Sequence, residues 1–541
     1  MQSGMGNRPL TIPEMIVPRA ERLFAERPVV TRFPTGTHRS TWGEVIGRAR
    51  RLAGALRSLG VRPGDRVATF ATSTHRHVEA YFAVTSIGAV LHTINVGLDA
   101  EQVAYLVEHA DDRLVLCDRG LRESWWCAAE LLRHRRLEIV LPDGTADDSD
   151  DPGDYERLLA AAEPVVDWPV IDENAPAHLS YTTGTTGRPK GVLFSHRSTV
   201  LQSMCSGLAN AKSFAATDIL LPLVPLSLSQ VGLPFAAAMQ GCGLVLPGAD
   251  QSPAAICELI EAERPTVADG FGAALPGLLD HWRRTRTDLS SLREYLCGGS
   301  PVPRALSRAF AEEVGVPIVQ VFGMTETSGH GCFDRLPQEA GDAPDEDTLR
   351  YYLTSQGRPA PMVEMRLVDD AGAELPWDGR AIGELQIRGP WVAAEYYRDG
   401  ARPDTFDNGW LRTGDAARID RLGYLRVVDR MKDLVRSGDA LISTVELEEQ
   451  LTGHPGVAEA AVVGMPHPEL GERPWATVVS VRDAAPAPTA AELADHLSTR
   501  VPGTWLPERI VFAPALPRTS VGKVDKNALR RQFAADPSPA S

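Results

Sequence analysis

The stretch YTTGTTGRPKG, residues 181–191, sets a loop of glycines and threonines between two segments that read as structured. HLSYTT leads into it as a buried strand, and GVLFSHRSTV returns to apolar residues after it. Gly184, Gly187 and Gly191 permit positive φ and let backbone N–H groups approach an anion. Thr182, Thr183, Thr185 and Thr186 add hydroxyl donors, and Lys190 adds a full charge. The set fits a polyphosphate. It is not the familiar NTPase loop, in which Ser or Thr follows the Lys directly, because Gly191 follows Lys190 here. By composition alone such a run also reads as a surface turn, but a donor-rich loop pinned between structured segments reads as a site.

A chain of 541 residues is too long for one core and divides into roughly two to four domains. At 43% hydrophobic and 23% charged residues it has the composition of a soluble globular protein. The formal charge of -16 argues against DNA or RNA as partner, since such binders need a cationic face. The opening MQSGMGNRPLTIPEM has no charged-then-apolar signal pattern, and no run reaches the roughly eighteen apolar residues of a membrane span. A cytoplasmic location, small-molecule partners and no membrane span are the expectation; the oligomeric state stays open. The seven cysteines, at 117, 127, 205, 242, 257, 297 and 332, never form a CxxC pair and suggest neither a disulfide framework nor a zinc site. They read as reduced core residues, Cys297 included although it adjoins the GGS of residues 298–300.

Along the chain, TWGEVIGRARRLAGALRSLG places Val45, Ile46, Ala49, Leu52, Leu56 and Leu59 near helical spacing, with Gly60 as the stop. Short apolar runs such as DRVATFA, RLVLCD, PTVADGFG, LREYLCGG and PIVQVFGMTE alternate with such helices. The alternation predicts an α/β fold, sheets covered by helices. After about residue 355, MVEMRLVDDAG, IGELQIRGP and GYLRVVDR read as a smaller β unit of strands joined by Asp/Gly turns. From MKDLVRSG onward the pattern is that of a compact α+β domain: helix TVELEEQLTGHPG, strand VAEAAVVGMP, helix TAAELADHLSTRV.

Five motifs in order, YTTGTTGRPKG (181–191), VFGMTET (321–327), GWLRTGD (409–415), GYLRVVDRMKD (423–433) and PRTSVGKVDK (517–526), resemble those of the adenylate-forming superfamily. That superfamily comprises acyl-CoA synthetases, peptide-synthetase adenylation domains and luciferases. The likeness runs over essentially the whole chain and is strongest to medium- and long-chain fatty acyl-CoA ligases. It implies an N-terminal AMP-binding domain over residues 1–429 and a small, mobile C-terminal domain over 430–541, turning about a hinge near Lys432. ATP and Mg²⁺ are the implied cofactors.

Residue by residue, the resemblance assigns Thr182, Thr183, Gly184, Thr186, Gly187 and Lys190 to the β- and γ-phosphates, with Thr185 among the catalytic groups. Glu326 matches the Mg²⁺ ligand; a divalent ion carried by ATP needs such an oxygen near the phosphates. Phe322 matches the adenine pocket together with Gly299 and Ser300, and Gly323, Met324 and Thr325 complete the nucleotide contacts. Asp415 matches the carboxylate that accepts the ribose hydroxyls, and Arg430 a second ribose or phosphate contact. Lys523 matches the lysine that bridges the acid and the α-phosphate, a cation placed where charge develops between two reacting anions. Leu228, Phe271 and Gly298 fall in the acid pocket. Gly438 and Asp439 fall where the pantetheine arm of CoA enters.

Two segments leave the family pattern. PLSLSQVGLP (225–234) is one residue short and carries Leu228 near the usual His. SGDALIS (437–443) carries Asp439 at the second Gly of the tunnel and Ala440-Leu441 for a Glu-Trp pair. A carboxylate there fills space and keeps its own solvation. The expected activity is activation of a small acid as its AMP ester with release of pyrophosphate, followed by transfer, by family default to CoA. The alternative is a non-CoA acceptor, notably an ATP-dependent diazotase that activates nitrite and acts on an aromatic amine. A luciferase-like oxygenase has no separate support, and Lys523, Glu326 and Asp415 together argue against a nucleotide binder without catalysis.

Overall fold

The computed structural model describes residues 6–144, 154–182, 188–228, 232–337, 352, 355–400, 402, 404–438, 440–481, 487–518 and 524–535. The chain divides into two compact units, residues 1–364 with 387–411 and residues 365–386 with 412–541.

The first unit holds two sheets. In the larger, the strands run in the order Arg358–Pro359, Cys332–Phe333, Ile318–Phe322, Glu294–Gly298, Val267–Phe271, Ile219–Pro222, Gly243–Leu246, Pro28–Phe33, Gly36–Thr41. The strands from Ile318–Phe322 across to Pro28–Phe33 pair in parallel, and the flanking pairs are antiparallel. The second sheet runs Leu137–Leu141, Asp112–Asp118, Arg66–Phe70, Val90–Thr93, Pro176–Tyr181, Gly191–Ser195, parallel except at its last pair. Parallel strands covered on both faces read as continuous apolar runs. Gly243–Leu246 and Val90–Thr93 are buried along their whole lengths.

Between the sheets lies the helix His75–Ser86, all of whose residues are buried. Its charged side chains and His77 are paired: Glu79 with Arg48 and the Tyr155 hydroxyl, Arg76 with Glu156, His77 with Thr69, while the Ser86 hydroxyl is buried with no hydrogen-bond partner among the described residues. A helix enclosed all round keeps charged groups only when each has a partner. The helix Trp42–Ser58 opens on a capping box, Thr41 with Glu44, and buries Val45, Ile46, Ala49, Leu52 and Leu56 as their spacing predicts. It ends ahead of Gly60 at φ +81°, whereas Leu59 stays half-buried.

In the second unit, the strand Val457–His467 pairs with Gly471–Ser480, which is joined by Arg509–Phe512 and by the hairpin Val435–Ser437 with Ala440–Ile442. The helices Thr444–Thr452 and Ala490–Ser498 close a core of Val435, Leu447, Val462, Val478 and Leu493. The α/β organisation of the N-terminal part and the C-terminal α+β part are those expected from the sequence. Among the described residues no helix is long and apolar enough to cross a membrane.

Candidate active site

The predicted phosphate loop leaves the C-terminal end of the strand Pro176–Tyr181 and returns as Gly191–Ser195. Two hydrogen bonds tie its neck: Thr182 N–H donates to the Lys190 carbonyl at 2.9 Å, and Lys190 N–H to Thr182 Oγ1 at 3.3 Å. Thr183, Gly184, Thr185, Thr186 and Gly187 lie outside the described residues.

The other predicted residues of this unit collect where parallel strands end. Val267–Phe271 ends at Phe271, Glu294–Gly298 leads into Gly299 and Ser300, and Ile318–Phe322 leads into Gly323, Met324, Thr325 and Glu326. Ligands in open α/β sheets bind at the carboxyl ends of such strands. Backbone approach there requires glycine twice. Gly299 sits at φ +86° with a Cβ position 2.8 Å from the Phe271 ring, and a Cβ on Gly323 would meet the Gly329 carbonyl carbon at 2.5 Å. Phe322 is half-buried and packs against Gly331.

A single turn, Thr325–Thr327, directs Glu326 inward, where the residue is 5% exposed. The Tyr396 hydroxyl donates to Glu326 Oε1 at 2.7 Å, and Ala393 N–H donates to the Glu326 carbonyl. Lys190 Nζ lies 4.7 Å from the centroid of the same Tyr396 ring. One buried phenol therefore touches both the phosphate-loop lysine and the carboxylate of the MTET turn. Burial, and after it the neighbouring carboxylate, hold the Tyr396 phenol above its ordinary pKa, so it stays a hydrogen-bond donor. Among the described residues no Lys, Arg or His forms an ion pair with Glu326, which leaves its charge for a bound cation. No group of three or more His, Cys, Asp or Glu that could hold a metal exists among the described residues. One carboxylate with phosphate oxygens is the ordinary magnesium arrangement, and Glu326 fits it.

Leu228 borders a cavity of about 20 Å³ together with Thr93, Ser180, Thr182 and Ser227. That is room for one water. Ser227 Oγ is buried there without a hydrogen-bond partner among the described residues.

In the second unit, Asp415 and Arg430 face each other across the antiparallel strands Trp410–Ile419 and Leu425–Arg430. The guanidinium reaches Asp415 Oδ1 at 3.1 Å and the Thr413 carbonyl at 3.2 Å, while Thr413 Oγ1 accepts from the Asp415 N–H. Asp415 is buried and Arg430 exposed, so the carboxylate is held by a cation that solvent reaches. Lys432 is exposed in the turn that follows, its carbonyl 3.4 Å from Arg530. Gly438, at φ +57°, is exposed and donates to the Leu470 carbonyl. Asp439 and Lys523 lie outside the described residues.

The cysteine expectation needs one correction. All seven are free, but Cys127 is exposed because its place on the helix Arg122–Ala129 faces away from Trp125 and Ala128, which are buried. Cys297 is buried, and its burial pushes the thiol up to about 12, which suits packing and not reactivity. Sequence reasoning missed Tyr396. YY at 396–397 carries no chemical signature of its own, and the partnership with Glu326 spans 70 positions.

The AMP-binding enzyme family model matches residues 18–397, and its C-terminal-domain model matches residues 446–523. A long-chain-fatty-acid–CoA ligase of Thermus thermophilus is 41% identical, over 95% of this chain and 94% of that protein. A 3-methylmercaptopropionyl-CoA ligase of Ruegeria lacuscaerulensis is 37% identical, over 98% of this chain and 99% of that protein. The solved structure of the anthranilate CoA ligase AuaEII with anthranoyl-AMP superposes with a TM-score of 0.83 at 25% identity, covering 98% of this chain and 99% of that one.

Proposed function

The chain belongs to the AMP-binding enzyme family and is an ATP-dependent, AMP-forming ligase, and from that membership we propose that it activates a small carboxylic acid as its adenylate and passes the acyl group to coenzyme A. The observation that carries this reading is the Glu326, Tyr396 and Lys190 cluster at the carboxyl ends of the strands. It supplies one cation for phosphate oxygens and one buried carboxylate for a metal, oriented by a phenol.

In the proposed chemistry an acid oxygen attacks the α-phosphorus of ATP. The bond from that phosphorus to the bridging oxygen breaks, and pyrophosphate leaves with the electron pair. Lys190 and the loop hydroxyls bind the β- and γ-phosphates, Asp415 accepts from the ribose hydroxyls, and Lys523 offsets charge between the two anions. Mg²⁺, held by Glu326, would neutralise the phosphate oxygens. In the second half-reaction the thiol sulfur attacks the acyl carbon, the bond to AMP breaks, and the thiol proton passes to water. Turning of the C-terminal part about Lys432 between the two half-reactions belongs to the same proposal.

Relatives named for CoA ligation support the thiol as acceptor, and they cover nearly the whole chain. The acids in those names range from long-chain fatty acids to 3-methylmercaptopropionate, so they leave the acid open. The test is pyrophosphate release with a panel of acids, followed by mass detection of AMP and the thioester. Absence of pyrophosphate with every acid overturns the reading.

A further inference from the structure

Behind Phe271 the interior of the first unit is polar. Asp269 precedes Phe271 by two residues on the strand Val267–Phe271 and therefore points to the same face, about 6.6 Å deeper from the strand's carboxyl end. Lys212 Nζ meets Asp269 Oδ2 at 2.6 Å, and both residues are buried, at 5% exposure each. Lys212 also lies over the Phe214 ring, 5.7 Å from its centroid. An ammonium carries three protons to donate. Asp269 is the hydrogen-bond acceptor for Lys212 Nζ among the described residues, which leaves donor capacity on a buried cation.

His330 is buried four residues after Glu326; its Nδ1 faces the Ser328 carbonyl at 2.9 Å and its Nε2 the Ser206 hydroxyl at 2.9 Å. Gln202 Nε2 lies 3.2 Å from the same Nε2. Burial and then the Lys212 charge push the imidazole down to about 3, which places the two groups in one electrostatic neighbourhood and keeps the ring neutral. Gly232 abuts this group: a Cβ there would meet Gln202 Oε1 at 2.5 Å. Phe271, which the resemblance assigns to the acid pocket, thus shares its strand face with a buried charged pair.

An apolar acyl chain pressed against this pair would desolvate an ammonium and a carboxylate without offering either a hydrogen bond, which is unfavourable. A ligand oxygen, in contrast, accepts a proton that Lys212 has to give. We propose that the acid pocket selects a short acid bearing a second oxygen acceptor, an oxo, hydroxy or carboxylate group that Lys212 binds while Asp269 holds the ammonium in place. Lys212 and Asp269 are specificity residues, distinct from the groups at the phosphates. The inference rests on the adenylation reading above.

Pyrophosphate release by the full chain is measured with butyrate, octanoate, palmitate, acetoacetate, 3-hydroxybutyrate and succinate. The wild type is expected to favour at least one of the last three over butyrate by tenfold or more in kcat/KM, and over octanoate and palmitate by more. The paired variant Lys212→Met with Asp269→Asn removes both charges together, so neither is left buried alone. It is expected to lose that preference over butyrate at least tenfold, through a raised KM for the oxygen-bearing acids. Should the pair not fold by circular dichroism, Lys212→Arg and the wild-type ratios stand as the test. Preference for octanoate or palmitate, or selectivity unchanged in the folded variant, overturns the proposal and leaves adenylation intact. No pyrophosphate with any acid overturns the adenylation reading itself.

Discussion

The phenol of Tyr396 and the carboxylate of Glu326 share one hydrogen bond of 2.7 Å, and the Tyr396 ring carries Lys190 Nζ at 4.7 Å on its face. A metal-binding carboxylate with one oxygen fixed by a neutral donor is oriented before its ion arrives. Tyr396→Phe keeps the ring for Lys190 and removes only the hydroxyl. The expected outcome is a Mg²⁺ requirement raised about tenfold or more, read both as a magnesium titration of pyrophosphate release and as magnesium-dependent binding of a non-hydrolysable ATP analogue. Wild-type magnesium dependence in both would separate Tyr396 from Glu326 function.

Asp415 is the buried partner of an exposed arginine, an arrangement that aims a charged acceptor outward. Hydrogen bonds to a charged acceptor contribute about 1.5–3 kcal/mol, so Asp415→Asn is expected to raise KM for ATP roughly ten- to a hundredfold. Thermal stability, measured alongside, should change little, since Asn retains the size and the backbone contact to Thr413. An unchanged KM for ATP would remove Asp415 from the nucleotide site.

Lys523→Ala is expected to cut adenylate formation about a hundredfold or more while ATP binding persists. Pyrophosphate release and ATP-analogue titration, run on the same preparation, distinguish the two effects. Near wild-type pyrophosphate release would contradict the role given to Lys523.

Five imidazoles among the described residues are buried in neutral form: His77 and His196 pushed down to about 4, His178 and His330 to about 3, and His75 held well below its ordinary value, in each case first by burial. Their folded pKa values lie below the unfolded value near 6.5. The stability each contributes is therefore present above pH ~6.5 and is lost as pH falls toward the folded pKa, because the unfolded chain takes up protons first. Between pH 7.5 and 5.5 the loss is about 1.4 kcal/mol per imidazole. Asp118, raised to about 6 by burial, acts in the opposite direction over part of that range and offsets less than one imidazole. The unfolding midpoint should fall between these two pH values; a rise would contradict the burial of neutral histidines.

Much of the fold was legible because its signals are local. The helix Trp42–Ser58 declares itself through a capping box and an apolar stripe, and the parallel strands through short continuous apolar runs. The candidate site is proposed from motifs that place their chemistry within a few residues, as at Thr182 to Lys190 or Thr325 to Thr327. It was opaque where partners meet only in three dimensions. Tyr396 reaches Glu326 across 70 positions, and Lys212 reaches Asp269 across 57, so spacing carries no sign of either. A lysine in ANAKSF reads as surface charge until the fold buries it.

The central claim is that this chain activates an acid with ATP and gives it to a thiol. One experiment addresses it most directly: wild-type protein with ATP, Mg²⁺ and an acid panel that includes nitrite, each with CoA or with an aryl amine, followed by mass detection of products. The account predicts AMP together with an acyl-CoA thioester from at least one carboxylic acid, formed only when CoA is present. AMP formed with an amine acceptor or with nitrite, and no thioester from any acid, would contradict it.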